Sequence, residues 1–398
     1  MFQVTGGTFT ENDTTNGIVI GKGSATVAAS GELLVTGGTT TTPKISFGLN
    51  GGLAGSYGNL TLNGANANLY VGSGGIVNNA TNTYTLSIAL TNGTIGATAD
   101  WSSSLAMTLG SGITIKAADA SNVAHNITLT GVLGGTGGVT KTGGGTVSLS
   151  AANTYSGTTT VNAGTLQING LYALGGANYG GLTLNGGTLK YATAFSGNGS
   201  GDVTSATTAK TLNIGSSGGT VDLNANSVTY ANAMTGTGAL VVTDSTGGGN
   251  LTLSGANTNS GGVTVNAGTL TIGTTGTAGT GNVTLANATG VTLTLQNSNA
   301  IADSAILTFG TNSVINLNDT GAGTETIAGL YDSATSTLFN TPGTYTATQL
   351  NTQFGVTSFT SSNGQTITIA VVPEPSVGVM LLGGAGLLGM FKSRRRSL

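Results

Sequence analysis

Apolar and polar residues alternate along a stretch near the middle of the chain, from Gly134 to Ile168. Val147 and Leu149 are separated by a serine, and Leu166 is separated from Ile168 by a glutamine. Alternation with a period of two over such short runs predicts short β-strands, each with one buried face. Glycine and asparagine lie between these runs, and both tolerate the positive φ angles of tight corners. Strands this short cannot bury a core as isolated hairpins, so the pattern predicts strands stacked on one another.

The same pattern returns about a hundred residues later, from Gly236 to Ile272. Seven matched positions are 104 residues apart, and the offset falls to 101 at Thr136 and Thr237. Three residues were therefore added in the turn from Asp244 to Gly249, with the apolar positions kept in phase, which is typical of stacked repeats. We predict an all-β fold, a single-chain parallel β-solenoid in the form of a right-handed β-helix. The matched pairs are Leu149/Leu253, Asn153/Asn257, Gly157/Gly261, Asn162/Asn266, Gly164/Gly268, Thr165/Thr269 and Leu166/Leu270.

Residues 134–168 resemble the autotransporter-associated β-strand repeat, which is found in passenger regions of bacterial surface proteins. Residues 236–272 carry the same resemblance with departures, because Asn259 replaces Tyr155 and Val242 lies in the segment that replaces the one around Lys141. The resemblance implies a secreted β-helical stalk or fibre and no catalytic residues.

The whole chain divides into three predicted parts. Residues 1–329 continue the alternating runs and are assigned to the solenoid. Residues 330–370 hold five of the 19 tyrosines and phenylalanines. Two interpretations of this part stay open: a cap over the end of the solenoid, whose open edges would otherwise pair with other chains, or one more irregular coil. Residues 371–398 change composition abruptly and form a separate tail.

The tail begins with the motif Pro373, Glu374 and Pro375. Proline cannot donate to a ladder of backbone hydrogen bonds, so the motif ends the strands. Residues 376–391 carry no charge, and as a transmembrane helix they would span about 24 Å of a hydrocarbon core about 30 Å thick. A basic cluster beside an apolar helix stays on the cytoplasmic side, which places the solenoid outside. This membrane-retention cluster consists of Lys392, Arg394, Arg395 and Arg396.

The order of motif, apolar helix and basic cluster at the carboxyl end resembles the PEP-CTERM sorting signal of Gram-negative, exopolysaccharide-producing bacteria. The resemblance implies recognition and processing near Pro373–Pro375 by an exosortase, a membrane-embedded cysteine transpeptidase. The helix would then occupy the membrane only transiently. The alternative interpretation is a permanent membrane anchor.

Composition and charge limit which reactive groups the chain can use and which partners it can bind. The residues before 371 hold six lysines, no arginine and twelve carboxylates, a net charge of −6, so no nucleic acid is expected as a partner. The chain has no cysteine, which excludes disulfides and thiol chemistry. His125, the only histidine, has no carboxylate near it in sequence and is predicted to be a surface or edge residue. We predict no catalytic, cofactor-binding or metal-binding residues.

These observations predict an exported, noncatalytic surface or extracellular-matrix protein with a role in adhesion or exopolysaccharide association. Its route would lead through an inner-membrane intermediate to the cell surface or matrix of a Gram-negative bacterium. No signal peptide is visible at the start, so we expect the true amino end to lie upstream. The main alternative is a polysaccharide-degrading, lyase-like β-helix enzyme, which would need carboxylates and basic residues gathered on one face. A third hypothesis, ice or crystal-face binding by threonine rows, lacks a regular T-x-T in each coil.

Overall fold

The computed structural model describes residues 1–22, 30–48, 56–80, 84–192, 201–205, 209–319 and 323–370. Within these ranges nearly all the regular structure is β-strand, with one α-helix and two short 3₁₀ helices. The strands of the first half are β1 (Phe2–Val4), β2 (Thr8–Thr10), β3 (Ile18–Ile20), β4 (Ser30–Val35), β5 (Gly38–Phe47), β6 (Ser56–Asn78), β7 (Tyr84–Ala97), β8 (Trp101–Ser103), β9 (Met107–Lys116), β10 (Ile127–Leu129), β11 (Leu133–Gly135), β12 (Val139–Thr142), β13 (Thr146–Leu149), β14 (Thr159–Val161), β15 (Thr165–Ile168), β16 (Leu182–Leu184), β17 (Thr188–Tyr191) and β18 (Leu212–Ile214).

The strands of the second half are β19 (Gly219–Asp222), β20 (Ser227–Tyr230), β21 (Met234–Gly236), β22 (Leu240–Thr243), β23 (Asn250–Leu253), β24 (Val263–Val265), β25 (Gly268–Ile272), β26 (Val283–Leu285), β27 (Val291–Leu295), β28 (Ile306–Phe309), β29 (Val314–Leu317), β30 (Thr324–Ile327), β31 (Gly329–Asp332), β32 (Thr337–Phe339), β33 (Gly343–Thr346), β34 (Phe359–Ser361) and β35 (Thr366–Ile369). The helices are the 3₁₀ turns Leu171–Leu174 and Gly176–Asn178, and α1 (Ala347–Phe354).

Three large sheets run through the described residues. The first has the order β1-β4-β6-β7-β9-β12-β14-β16-β18-β21, with β2, β3, β5 and β11 attached beside this path. The second is β8-β10-β13-β15-β17-β19-β22-β24-β26-β28-β31-β32, and the third is β20-β23-β25-β27-β29-β34. In the central region, consecutive strands of the chain belong to different sheets. We call one circuit of the chain through these sheets a pass, and each pass adds one strand to every sheet that it enters. The predicted all-β class and parallel pairing are therefore confirmed.

The register of these sheets places apolar residues on apolar residues. Leu166 pairs with Val147 on one side and with Leu189 on the other, and all three side chains are fully buried. Burial of such a side chain contributes about 1.5–3 kcal/mol. One cluster of buried residues runs from Val4 to Ile369, so the strands share a continuous core.

The amino-terminal strands are longer than the alternation predicted. β6 extends for 23 residues, pairing with β4 through its first part and with β5 through its second. Its pairing with β7 shifts register between Asn63 and Asn68, where the chain includes Gly64 and two alanines. Irregularities of this kind bend a strand without ending it. One long strand thus replaces several short strands and the turns between them.

The predicted insertion lies in the turn that joins β22 to β23. Asp244 stabilises this turn, because its Oδ1 accepts from the backbone N–H of Ala225 at 2.7 Å and its Oδ2 from that of Gly249 at 2.6 Å. The added residues therefore leave the flanking strands in register with their neighbours.

The pairing direction changes at the carboxyl-terminal end. β32 pairs with β31 antiparallel, and β33 pairs antiparallel with β35, which itself runs parallel to β30. Between β33 and β34 lies α1, which begins at a capping box formed by Thr346 and Gln349, ends at Gly355 in the left-handed conformation, and buries Leu350. A helix and two antiparallel pairings thus lie among the last parallel pairings, because β34, which follows α1, still runs parallel to β29. The predicted boundary at residue 330 and the choice between a cap and an irregular coil stay predictions.

The predicted transmembrane helix and the rest of residues 371–398 lie outside the described residues. Within the described ranges, no helix combines the length and apolar character that crossing a membrane requires.

Candidate functional site

The predicted sorting residues follow directly on the last strand of the fold. Residues 373–375 and the basic cluster at 392–396 lie outside the described residues, but their point of departure is defined. Ile367 and Ile369 of β35 are buried, and the N–H of Ala370 donates to the carbonyl oxygen of Ile327 at 2.9 Å. The chain is therefore fixed to the body three residues before Pro373.

Residues 333–370 form the surface from which the tail departs, and we name it the carboxyl-terminal face. It contains no charged residue. Phe339, Phe354 and Phe359 are linked by edge and stacking contacts with ring centroids 5.7 Å and 6.2 Å apart. Phe359 packs at 4.9 Å against the buried Phe309 of the preceding pass. This aromatic cluster connects residues 339–359 to the buried core through Phe309.

Asparagine side chains join successive passes at one corner of the stack. The Oδ1 of Asn153 accepts from the N–H of Leu133 at 2.8 Å, and its Nδ2 donates to the carbonyl of Ala173 at 2.6 Å. Asn257, its partner in the sequence repeat, accepts from the N–H of Met234 at 2.6 Å in the same way. Each asparagine thus satisfies one backbone group in the pass before it and one in the pass after it. The 104-residue repeat pointed to these two asparagines in the sequence. Repetition alone, however, did not show whether they bridge neighbouring passes or only form turns.

Glu325 occupies a comparable position near the end of the stack. Its two carboxylate oxygens accept from the backbone N–H groups of Ala300 at 3.0 Å and Ile301 at 2.9 Å, and the side chain is fully buried. Burial raises the pKa of this carboxyl to about 7, against the opposing effect of the two N–H donors. Both oxygens of Glu325 accept from adjacent residues of one earlier segment, whereas Asn153 also donates to a later one.

Lys141 is buried although its neighbours in the core are apolar. Its Nζ donates to the carbonyl oxygens of Thr142 at 3.0 Å, Gly143 at 2.7 Å and Ala163 at 2.8 Å. Burial lowers the pKa of the ammonium group to about 8. Strand pairing puts Val242 at the matching place in the second copy, so the interaction belongs to one copy only. Lys141 is satisfied within the fold.

Four tyrosines lie in the core of the central region. Tyr155, Tyr179, Tyr191 and Tyr230 are fully buried, and the hydroxyls of Tyr191 and Tyr230 are 2.7 Å apart. Burial raises the pKa of each phenol. These groups stay protonated and inaccessible, so we assign them to packing.

The outer side of the second sheet carries what we name the threonine row. Strand pairing places these residues in one column across successive passes, and each is half-buried. Parallel neighbours lie about 4.8 Å apart, so the hydroxyls form a regular uncharged line. Sequence reasoning missed this row because the turns between strands differ in length. Its members are Thr146, Thr165, Thr188, Thr220, Thr264, Thr284 and Thr308, with Val241 between Thr220 and Thr264.

The third sheet shows the T-x-T pattern on two adjacent strands only. Thr269 and Thr271 of β25 pair with Thr292 and Thr294 of β27, while β23 carries Asn250 and Thr252 in these columns and β29 carries Val314 and Asn316. The ice-binding hypothesis required a pair in each coil, and the described strands do not supply one.

The fold brings a carboxylate to the single histidine, which sequence reasoning did not foresee. The Oδ1 of Asp100 lies 4.0 Å from the Nδ1 of His125. Hydrogen bonds from the backbone N–H and the side-chain amide of Asn126 lower the pKa of Asp100, and His125 contributes less. Within the described residues, no group of three or more His, Cys, Asp or Glu side chains could hold a metal ion.

Parallel strands built on a repeated unit, followed in sequence by the motif at residues 373–375, define a β-strand repeat protein with a carboxyl-terminal signal. Comparison of the chain with protein-family models identifies two kinds of segment in it. Residues 139–168 and 246–272 match the passenger-associated-transport-repeat family, and residues 371–396 match the PEP-CTERM protein-sorting motif. Both resemblances seen in the sequence are thereby confirmed. The sorting signal implies an exported protein that exosortase-type machinery recognises and that passes through membrane sorting to the cell surface or the extracellular space. No curated protein matches the chain, and no solved structure does.

Proposed function

We propose that the chain is a noncatalytic β-solenoid, a right-handed parallel β-helix, that acts in adhesion or exopolysaccharide association at the surface of a Gram-negative bacterium. Its apolar tail helix would hold it in the inner membrane until an exosortase processes the motif. The observation that carries the polysaccharide role is the threonine row, because regularly spaced hydroxyls can donate to and accept from the hydroxyls of a sugar chain.

The sorting step is tested by replacing Pro373, Glu374 and Pro375 with alanine in the full chain. We expect a larger mature mass than wild type, or retention in the inner membrane. Pro342, which lies in the body between β32 and β33, provides the matched control, and Pro342→Ala should mature normally. An unchanged mass and location for the triple variant would argue for the permanent-anchor interpretation.

The binding role is tested with mature protein isolated from the producing cells. We expect saturable binding to the exopolysaccharide of those cells without turnover. Replacing Thr165, Thr188 and Thr264 with valine should weaken it, and Val241 shows that the row accommodates valine. Thr352→Val on the exposed side of α1 is the control. Binding unaffected by the triple substitution would remove the row from the proposal, and cleavage of uronic-acid polymers would favour the lyase alternative.

A further inference from the structure

The distance between the folded body and the membrane is limited by a short connection. Only residues 371–375 separate Ala370, the last hydrogen-bonded residue of the body, from the apolar run of the tail, which begins at Ser376. Fully extended, the six residue-to-residue steps from Ala370 to Ser376 span at most about 20 Å. The polar zone on each side of a bilayer occupies roughly 5–8 Å of that length. Ala370, where the tail leaves the carboxyl-terminal face, must therefore lie within about 15 Å of the lipid headgroups, even with the connection fully extended.

Charge distinguishes this face from the rest of the body. The six lysines and twelve carboxylates that precede residue 371 all lie before residue 333. Beyond the face, Asp332 is buried and Asp319 half-buried, while Asp303 is exposed one pass further back. A body with a net charge of −6 is repelled by anionic headgroups when it lies along the membrane, and this repulsion fades within a Debye length of about 8–10 Å. The uncharged face can approach anionic headgroups more closely than the charged sides of the body can.

The face also offers side chains that suit a membrane–water interface. Leu338 is 46% exposed, the only large apolar residue between 333 and 370 in the described structure with that much exposure. Phe339 and Tyr345 are half-buried beside it, with ring centroids 5.0 Å apart. Aromatic rings of this kind favour the headgroup level, where an apolar body and a polar end are both accommodated.

We propose that the carboxyl-terminal face rests directly on the lipid bilayer while the tail is in the membrane, so that the stack of strands stands upright on it. This inference rests on the proposed membrane insertion of the tail. It specifies the partner as the bilayer surface and the contact as the region around Leu338, Phe339 and Tyr345.

The test uses the absence of native cysteines to place a single fluorescent label on the full chain. Leu338→Cys reports on the face. Tyr57→Cys, Val123→Cys and Val132→Cys are matched controls, because these residues are 47%, 56% and 41% exposed and lie elsewhere on the body. Each labelled protein is inserted into vesicles of neutral and anionic phospholipid that carry nitroxide groups on their headgroups. We expect loss of fluorescence at position 338 and none at the three control positions.

Quenching at any control position equal to that at 338 would show that the body lies along the membrane and would overturn the proposal. An unquenched label at 338 on vesicle-bound protein would overturn it as well. Failure of the chain to insert is a separate outcome, visible when vesicles are floated, and it would remove the proposed membrane step together with this inference.

A second measurement adds charge to the face. Thr348 and Thr352 are exposed on α1, and Thr348→Glu lies in the first turn, where a glutamate is favourable for folding. Thr352→Glu places the second charge in the last turn of the same helix. In anionic vesicles this pair should reduce quenching at position 338, and in neutral vesicles it should not. A glutamate at the exposed Thr229 is the control. Equal quenching with and without the added charges in anionic vesicles would contradict direct contact.

Discussion

The corner asparagines provide the sharpest test of how the passes are held together. Asn153→Ala removes a side chain that is 3% exposed and leaves the N–H of Leu133 and the carbonyl of Ala173 without their partner, both in fully buried residues. A buried polar group without a partner costs about 1–3 kcal/mol. Two such groups should lower the free energy of unfolding by about 3 kcal/mol, within a range of roughly 2–5 kcal/mol.

Urea unfolding and amide hydrogen exchange measure this effect at two levels. The midpoint of unfolding should fall, and the Leu133 amide should exchange about 100-fold faster, because 1.4 kcal/mol corresponds to a factor of ten. Asn162→Ala, at an exposed position of the same repeat, should change stability by no more than about 0.5 kcal/mol. Asn257→Ala should reproduce the effect at the Met234 amide. If Asn153→Ala behaved like Asn162→Ala by both measures, the side-chain bridge would not be what links these passes.

Three further substitutions test single features of the core. The pKa of Glu325 is raised from 4.5 to about 7, so the stability that its protonated form contributes is complete below pH 4.5 and is lost as pH rises through 7. Over that interval the free energy of unfolding of the wild type should fall by up to about 3 kcal/mol relative to Glu325→Gln. Parallel pH profiles of the two proteins in urea unfolding would contradict this. The pKa of Lys141 is lowered from 10.5 to about 8, so stability should rise between pH 8 and 10.5. Lys141→Met should remove this increase in stability with pH and should still fold, since an apolar residue, Val242, fills the matching position in the second copy. If thermal melts of the variant still showed the increase, Lys141 would not be its source. Gly164 and Gly290 both have positive φ, but a Cβ at Gly164 would collide with the carbonyls of Gly143 and Gly145 while one at Gly290 meets nothing within 4 Å. Gly164→Ala should therefore be more destabilising than Gly290→Ala by about 1–3 kcal/mol in urea, and equal losses would refute the close contact.

Alternation and repetition were enough to predict the parallel strands of the central region. Val147 and Leu149 lie in β13 and Leu166 and Ile168 in β15, as their alternation with polar residues predicted. The signal was strong because buried and exposed positions differ at every second residue. Between 56 and 97 the alternation continued across corners, and a period of two does not show where a strand bends.

Features that depend on alignment between passes could not be read in the same way. Thr188 pairs with Thr220 although Thr165 pairs with Thr188 across a shorter connection, so equal spacing in sequence would have misplaced the threonine row. The burial of Lys141 was equally hidden, because a lysine in an alternating run reads as an outward residue until three carbonyl oxygens are found around it. The sorting motif, in contrast, was recognised from sequence because a linear signal does not depend on folding.

The reversal of strand direction in β32 and β33 has a consequence for how the protein can change in length. The antiparallel β32 ends the second sheet, so a parallel strand added at that edge would not match it, whereas a whole pass inserted between two existing ones meets compatible edges on both sides. Gene duplication and deletion can therefore add or remove whole passes before the final ones, while the carboxyl-terminal strands and the sorting signal are inherited together. Variants of different length would then share one carboxyl-terminal module and one sorting signal.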